Sequence, residues 1–225
     1  LMKRELIKTG DGSWTIQLPD WNEQYHSKYG AVAEALHIFI KNGLDYYCCS
    51  NSTSNALAVL EIGFGTGLNA LLSLQYTKQN NVVINYTGLE AYPISAAEWK
   101  ALNYAPAVCM PAEDFELLHL ADWEKPVTPY NDFTLLKKQQ IFDTLSNQQT
   151  YHLVYYDAFS PRVQPKLWQY DMLKKTYDAL KPGGVWVSYC AKGDVRRCLQ
   201  GLGFEVERLP GPPGKRHMLR ATKPS

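Results

Sequence analysis

A doubly wound, mostly parallel α/β sheet is the architecture that this 225-residue chain predicts, on three observations. Short apolar runs at 56–62, 82–89, 133–136, 152–159 and 185–190 read as strands buried on both faces. Segments of helical spacing separate most of them, so the strands are joined by crossovers and run parallel. A glycine-rich turn, Gly63-Phe64-Gly65-Thr66-Gly67, joins the first run to the helix after it, and ligands of open α/β sheets collect at such strand ends.

The elements follow in chain order. Up to about residue 55 there is no strand–helix alternation. Asp11-Gly12 supplies a turn, 14–18 alternates like a short strand, and 28–42 has helical spacing on Val32, Ala35, Leu36, Phe39 and Ile40, with Gly43 as its stop. The polar stretch 51–55 reads as a linker, giving a small N-terminal extension (1–55) and a main domain (56–225). The second strand ends at Glu90, and Pro93 suits the first turn of a helix running through Ala97, Trp99 and Leu102. Residues 104–132 are irregular and proline-rich, with a short helix at 113–120. Ser160-Pro161 and Pro165 make a loop before a helix at 167–180, and Lys181-Pro182-Gly183-Gly184 turns the chain into the fifth strand. A helix at 192–201 precedes a hairpin of 204–209 and 217–221, which closes the sheet with an antiparallel edge.

Apolar residues make up 45% and charged residues 20% of the chain, the balance of an ordered globular protein. No apolar run is long enough to span a bilayer, so no membrane partner is expected. The start, Leu1-Met2-Lys3-Arg4-Glu5, lacks the apolar stretch of a signal peptide, and Leu1 reads as foreign to a natural start. Five cysteines at irregular positions, without a C-x-x-C pair, fit reduced thiols in a cytoplasmic protein and no metal site. Charge is unevenly spread: residues 192–225 hold eight Lys/Arg against three Asp/Glu, whereas the rest is mildly acidic. That basic segment is a candidate anion-binding face.

The glycine spacing narrows the ligand. A dinucleotide fingerprint places its third glycine one residue later than Gly67, where Leu68 stands. Glu61 opens the motif, and a carboxylate there repels a pyrophosphate but accepts hydrogen bonds from an ammonium group, as on the amino-acid end of S-adenosylmethionine. Glu90 lies at the distance where an acid accepts from both ribose hydroxyls, in NAD or S-adenosylmethionine alike. Asp157 ends the apolar run Leu153-Val154-Tyr155-Tyr156, and a carboxylate so placed needs a partner. A substrate amine is one; it would be oriented and deprotonated by Asp157. A loop cap is the plainer alternative for both acids.

Leu60-Glu61-Ile62-Gly63-Phe64-Gly65-Thr66-Gly67-Leu68-Asn69, Glu90-Ala91-Tyr92-Pro93 and Asp157-Ala158-Phe159-Ser160-Pro161 closely resemble the tRNA 5-methylaminomethyl-2-thiouridine methyltransferase family. Leu180-Lys181-Pro182-Gly183-Gly184, the run 191–199, the tail Gly211-Pro212-Pro213-Gly214-Lys215-Arg216-His217-Met218-Leu219 and the entry segment Tyr25-His26-Ser27-Lys28-Tyr29-Gly30-Ala31 extend the resemblance over nearly the whole chain. It implies a class I S-adenosylmethionine-dependent fold that methylates the aminomethyl nitrogen of the wobble uridine, here in stand-alone form beside a separate flavin-dependent oxidase. Carried over, Glu61, Gly63, Phe64, Gly65, Thr66, Gly67 and Asn69 line the methionine end of the cofactor. Glu90 holds the ribose and Asp157 the reacting centre. The tRNA anticodon stem-loop then explains the basic tail: Lys192, Arg196, Arg197, Lys215 and Arg216 meet phosphates, and an unpaired base stacks on Tyr25 and Phe159, with Tyr29 and Trp168 as further aromatic candidates. The family's acid near the end of the third strand is missing, with Ile141 in its place and Gln140 or Asp143 as substitutes. Competing readings are a small-molecule or protein N-methyltransferase, a silent RNA-binding relative and a nicotinamide dehydrogenase.

Overall fold

The computed structural model describes residues 3–51 and 56–225. Most of the linker expected at 51–55 lies outside the described residues, as does Leu1.

Three short strands open the chain: β1 (Glu5–Lys8), β2 (Trp14–Leu18) and β3 (Glu23–Gln24) form an antiparallel sheet of their own. A helical rod follows, α1 (Ala31–Ala35), a middle of wider π turns (Leu36–Asp45), and α2 (Tyr46–Ser50). Gly43 was expected to stop a helix, yet the rod passes through it. A Cβ at Gly43 would sit 3.1 Å from Val187 and 3.4 Å from Tyr155, so glycine here lets the rod lie close on the sheet.

The main sheet is built from β4 (Leu57–Ile62), α3 (Leu68–Asn80), β5 (Ile84–Glu90), α4 (Ala96–Lys100), α5 (Tyr104–Ala107), α6 (Ala112–Leu120), β6 (Pro126–Tyr130), β7 (Phe133–Gln139), β8 (Tyr151–Tyr156), α7 (Tyr170–Ala179), β9 (Leu180–Ser188), α8 (Gly193–Gly201), β10 (Glu205–Pro210) and β11 (His217–Thr222). Its strand order is β10-β11-β9-β8-β4-β5-β7-β6. The pairs β9–β8, β8–β4, β4–β5 and β5–β7 are parallel. Both edges are antiparallel: the expected C-terminal hairpin on one side, and on the other β6, which its two prolines conceal. An edge strand tolerates proline because one row of its backbone groups has no ladder to join. β5 flanks β4 on one side and β8 on the other, so the order reverses at β4.

Alternation along the strands fills two cores. Val59, Leu153 and Tyr155 pack beneath the N-terminal rod, α3, α5 and α6. Leu60, Ile62, Val154 and Tyr156 pack beneath α7 and α8. Three expectations shift. Pro93 stands outside its helix, because Ser95 takes the cap: it accepts from the Glu98 amide while Glu98 reaches back to the Ser95 N–H. Residues 181–184 are not a turn before β9 but part of it, at an irregularity opposite β8. A 3-10 turn at Pro165–Trp168 delays α7 to Tyr170. Among the described residues no helix is long and apolar enough to cross a membrane.

Candidate active site

The carboxyl ends of β4, β5, β7 and β8 open into one cleft of about 1270 Å³. Its floor is the glycine turn between β4 and α3, where Gly63, Gly65 and Gly67 have φ of +93°, +51° and +75°. At Gly63 a side chain is excluded twice over, because a Cβ would also stand 2.8 Å from the Asp157 carbonyl oxygen. The turn and the loop after β8 thus touch backbone to backbone. Asp157 reinforces this by donating its amide N–H to the Ile62 carbonyl (2.9 Å), one step beyond β8 itself.

Asn69, in the first turn of α3, ties the acids together. Its Nδ2 donates to Glu61 Oε1 at 2.8 Å and to Asp157 Oδ2 at 2.9 Å. Glu61 itself is not on the cleft wall. Strand alternation turns it toward α3, where it is 1% exposed, so it reaches the site only through Asn69. Burial, helped by the Asp157 charge, pushes its carboxyl well above the usual range. Asp157 does border the cleft. Burial and then Glu34 push its carboxyl up to about 7, against the opposing pull of Asn69 and Lys215.

Glu90 borders the cleft from the end of β5 with both oxygens oriented: Oε2 accepts the Gly65 N–H and Oε1 the Tyr92 N–H, each at 2.9 Å. Phe64 and Thr66 also line it, each already engaged underneath. The Phe64 ring meets His119 and Trp123 edge-on. Thr66 Oγ1 lies 2.7 Å from His26 Nε2, and its carbonyl accepts from His119 Nε2 at 3.1 Å. Burial and the Lys215 charge push His26 down to about 3, so it is neutral at the site.

Aromatic rings wall the opposite side. Tyr25, just after β3, meets Phe159 edge-on with centroids 5.0 Å apart, and Trp21 meets Phe159 at 6.0 Å. Their loop is braced from the N-terminal sheet: Glu23 Oε1 accepts from Ser160 Oγ (2.5 Å) and from Arg162 Nη2 (2.8 Å). Trp168, expected as a stacking surface, is instead buried and donates its indole N–H to the Phe159 carbonyl at 2.8 Å. Tyr29, another stacking candidate, is exposed but lies against Gly214 away from the cleft.

Gln139 at the end of β7 and Ile141 and Phe142 just past it complete the wall, and Ile141 is 60% exposed. Neither substitute suggested for the missing acid is there. Gln140 and Asp143 are off the wall, and Gln139 is the polar side chain that lines it. Of the basic tail, Lys192, Arg197 and Arg216 are exposed and Arg196 half-buried, with Arg197 paired to Asp194 in its own helix. Lys215 departs from the expectation. It turns inward, 2.6 Å from Glu34 Oε2 and 4.1 Å over the Tyr189 ring, because Glu34 is 4% exposed and demands a counter-charge. Sequence reading also passed over Glu34, His26, Trp21 and Arg4. For Glu34 a signal existed, a carboxylate amid the apolar residues Ala31, Val32 and Ala35.

Glu61 Oε2 and Asn69 Oδ1 are buried with no hydrogen-bond partner among the described residues. Asn69 on the cleft wall with an unused acceptor, beneath a glycine turn and beside a ribose-ready carboxylate at the end of the next strand, fits a ligand that brings an ammonium group and a nucleoside. Among the described residues no group of three His, Cys, Asp or Glu side chains is arranged to hold a metal.

Comparison with known proteins agrees. Residues 135–224 match a family model described as S-adenosyl-L-methionine-dependent methyltransferase. A tRNA 5-methylaminomethyl-2-thiouridine biosynthesis bifunctional protein of Delftia acidovorans is 28% identical over 90% of this chain and 33% of its own length. An uncharacterized protein of Methanocaldococcus jannaschii is 27% identical over 97% of this chain and 59% of its own. The chain thus spans about a third of the length of the bifunctional relatives it matches. Among solved structures, MnmC2 from Aquifex aeolicus superposes with a TM-score of 0.79 at 24% identity, over 100% of this chain and 73% of that one, a likeness of fold. Spermidine synthase from Thermotoga maritima follows the same fold at a TM-score of 0.59 and 13% identity, over 99% of this chain and 70% of its own. The description of the matched model names S-adenosyl-L-methionine, the cofactor that the glycine spacing and Glu61 suggest over a nicotinamide. The chain is thus similar to S-adenosyl-L-methionine-dependent methyltransferases over residues 135–224, and over most of its length to part of the tRNA 5-methylaminomethyl-2-thiouridine biosynthesis bifunctional proteins.

Proposed function

We propose that the chain methylates the aminomethyl nitrogen of 5-aminomethyl-(2-thio)uridine at the tRNA wobble position, giving 5-methylaminomethyl-(2-thio)uridine. One observation carries the reading: a carboxylate with its proton affinity near neutrality stands between the glycine turn and an aromatic wall. When bound, S-adenosylmethionine supplies an electrophilic methyl group on a sulfonium. Asn69, with Glu61 behind it, and the turn of Gly63, Gly65 and Gly67 hold the methionine end, Phe64 and Thr66 shape that turn from below, and Glu90 accepts from the ribose. Asn69 occupies Asp157 Oδ2, so Oδ1 is left to accept from the amine, hold its lone pair in line and take the proton that the nitrogen sheds. A neutral amine is the nucleophile, and a carboxylate near pH 7 removes a proton without trapping the amine as a strong ion pair.

Tyr25 and Phe159 stack the unpaired uracil, with Trp21 bracing Phe159. Lys192, Arg196, Arg197 and Arg216 meet the phosphates of the anticodon stem-loop in the cytoplasm. An oxidase activity, flavin-dependent by the family resemblance, unmasks the amine beforehand. Reversing the charge of Arg196 and Arg216 together should raise the Michaelis constant for tRNA about tenfold at low salt and flatten its salt dependence. An unchanged salt slope would remove this face from RNA binding.

The direct test is incubation with radiolabelled S-adenosylmethionine and tRNA lacking the final methyl group, followed by digestion to nucleosides. Label in 5-methylaminomethyluridine or its 2-thio form is expected. Absence of label from a protein that still binds the cofactor would give the cleft another acceptor.

A further inference from the structure

Four groups converge on the loop after β8 from parts of the chain far apart in sequence. Glu34 comes from α1, Lys215 from the turn before β11, Tyr189 from the end of β9 and Asp157 from the end of β8. Glu34 is held at both oxygens: Oε1 accepts the Ser27 N–H at 3.2 Å, and Oε2 accepts from Lys215 Nζ at 2.6 Å. The Lys215 ammonium also lies 4.1 Å over the Tyr189 ring, a favourable place for a cation in a half-buried setting. Tyr189 in turn donates its hydroxyl to the Ala158 carbonyl at 2.8 Å, next to Asp157 in the chain. Ammonium, ring and catalytic loop are thereby stacked in a fixed order.

An ion pair with so deeply buried a carboxylate needs a reason, even with its lysine side chain 30% exposed. Isolating two charges from water costs more than their attraction returns unless both are well hydrogen-bonded, and an apolar pair of similar volume serves stability as well. Here the pair sits within electrostatic reach of the one carboxylate that the reaction uses. We propose that Lys215, held by Glu34 and by the Tyr189 ring, is a positioning residue that keeps Asp157 in its proton-accepting form at neutral pH. The inference rests on the reading of Asp157 as the proton acceptor.

Among the described residues, Lys215 is the cation that bears on Asp157. Glu34 raises its proton affinity and Lys215 lowers it. Glu61 is a second neighbouring carboxyl across Asn69. Tyr86, Tyr104 and Tyr189 also face it, and they are neutral at physiological pH because burial pushes each phenol up. Without Lys215 the balance becomes uniformly negative. Asp157 would then hold its proton at neutral pH and have no room for another.

The test follows the Asp157 carboxyl by carbon-13 NMR with labelled aspartate, its signal identified by loss in Asp157→Asn. It is run beside the pH dependence of methyl transfer to tRNA. Lys215→Met should move the Asp157 midpoint upward by about one pH unit, the scale of one neighbouring opposite charge, and the rising limb of the turnover profile should move with it. Glu34→Gln combined with Lys215→Met removes both charges and should bring midpoint and limb back toward the parent, while Lys215→Arg should keep them in place. The double variant also guards against a fold damaged by a lone buried glutamate. A midpoint that stays put in Lys215→Met overturns the inference. A midpoint that moves while Asp157→Asn leaves turnover unchanged would keep the coupling and remove Asp157 from proton transfer.

Discussion

Asp157→Asn should lower turnover by about a hundredfold, the scale of one positioned proton acceptor, while cofactor affinity is retained. Asparagine keeps the shape and can still accept the Asn69 hydrogen bond through its oxygen, so the loop after β8 stays in place. The parent enzyme should gain activity as pH rises through about 7, where Asp157 loses its proton. The variant should lose that limb. Its stability should respond in the opposite sense. Because the folded-state proton affinity lies above that of an unfolded aspartate, the folded protein binds more protons between about pH 4 and 7, and its stability falls as pH rises across that window. Asparagine has no proton to lose. The variant should therefore be more stable than the parent at pH 8, by up to about 4 kcal/mol, and indistinguishable near pH 4. Urea unfolding at the two pH values, beside single-turnover methylation, checks both halves. A variant less stable at pH 8 would mean that the Asp157 carboxylate is paid for by contacts now assigned to its neighbours.

Asn69→Leu carries the second large effect. One amide group serves two buried carboxyls, and Glu61 already has one oxygen without a partner among the described residues. Leucine would leave Glu61 with neither oxygen bonded and Asp157 without the donor that fixes Oδ2. Hydrogen bonds to charged groups are worth about 1.5–3 kcal/mol each, so a loss of about 3 kcal/mol at pH 8 is expected. The loss should shrink on acidification through about pH 7, as Asp157 takes up a proton and needs the donor less. Turnover should fall about a hundredfold as well, since Asp157 would no longer be aimed. Chemical unfolding across pH reads the first effect; a loss below about 1 kcal/mol, the net worth of one ordinary hydrogen bond, would show that Asn69 is not the shared clamp.

Much of this arrangement is written locally. The buried strands, the glycine turn and the acids at the ends of β5 and β8 are legible because each is a contiguous pattern: an apolar run, then a residue that the run cannot absorb. β6 is hidden by Pro126 and Pro129, which look like loop residues until an edge position excuses them. The outward or inward sense of Glu61 was available from strand alternation, since Val59 and Glu61 share a face. Lys215 is different. Its meeting with Glu34 spans 181 positions, and nothing in either neighbourhood separates an inward lysine from a solvated one. Gly43 misleads for a related reason: the close approach that demands a glycine involves β8 and β9, more than a hundred residues later.

The bracing of the aromatic wall has an evolutionary consequence. Glu23, Trp21 and Tyr25 come from the first thirty residues, whereas the glycine turn, Glu90 and Asp157 come from the parallel strands. Part of the acceptor wall thus comes from the leading stretch, which meets the loop after β8 through the links from Glu23 to Ser160 and Arg162. Changes at Trp21 and Tyr25 alter the acceptor wall while the glycine turn keeps its own residues, with His26 held to Thr66 as the point where the two stay coupled. Divergence of acceptors within a lineage should therefore be recorded first in residues 14–29, and last in the turn beneath them.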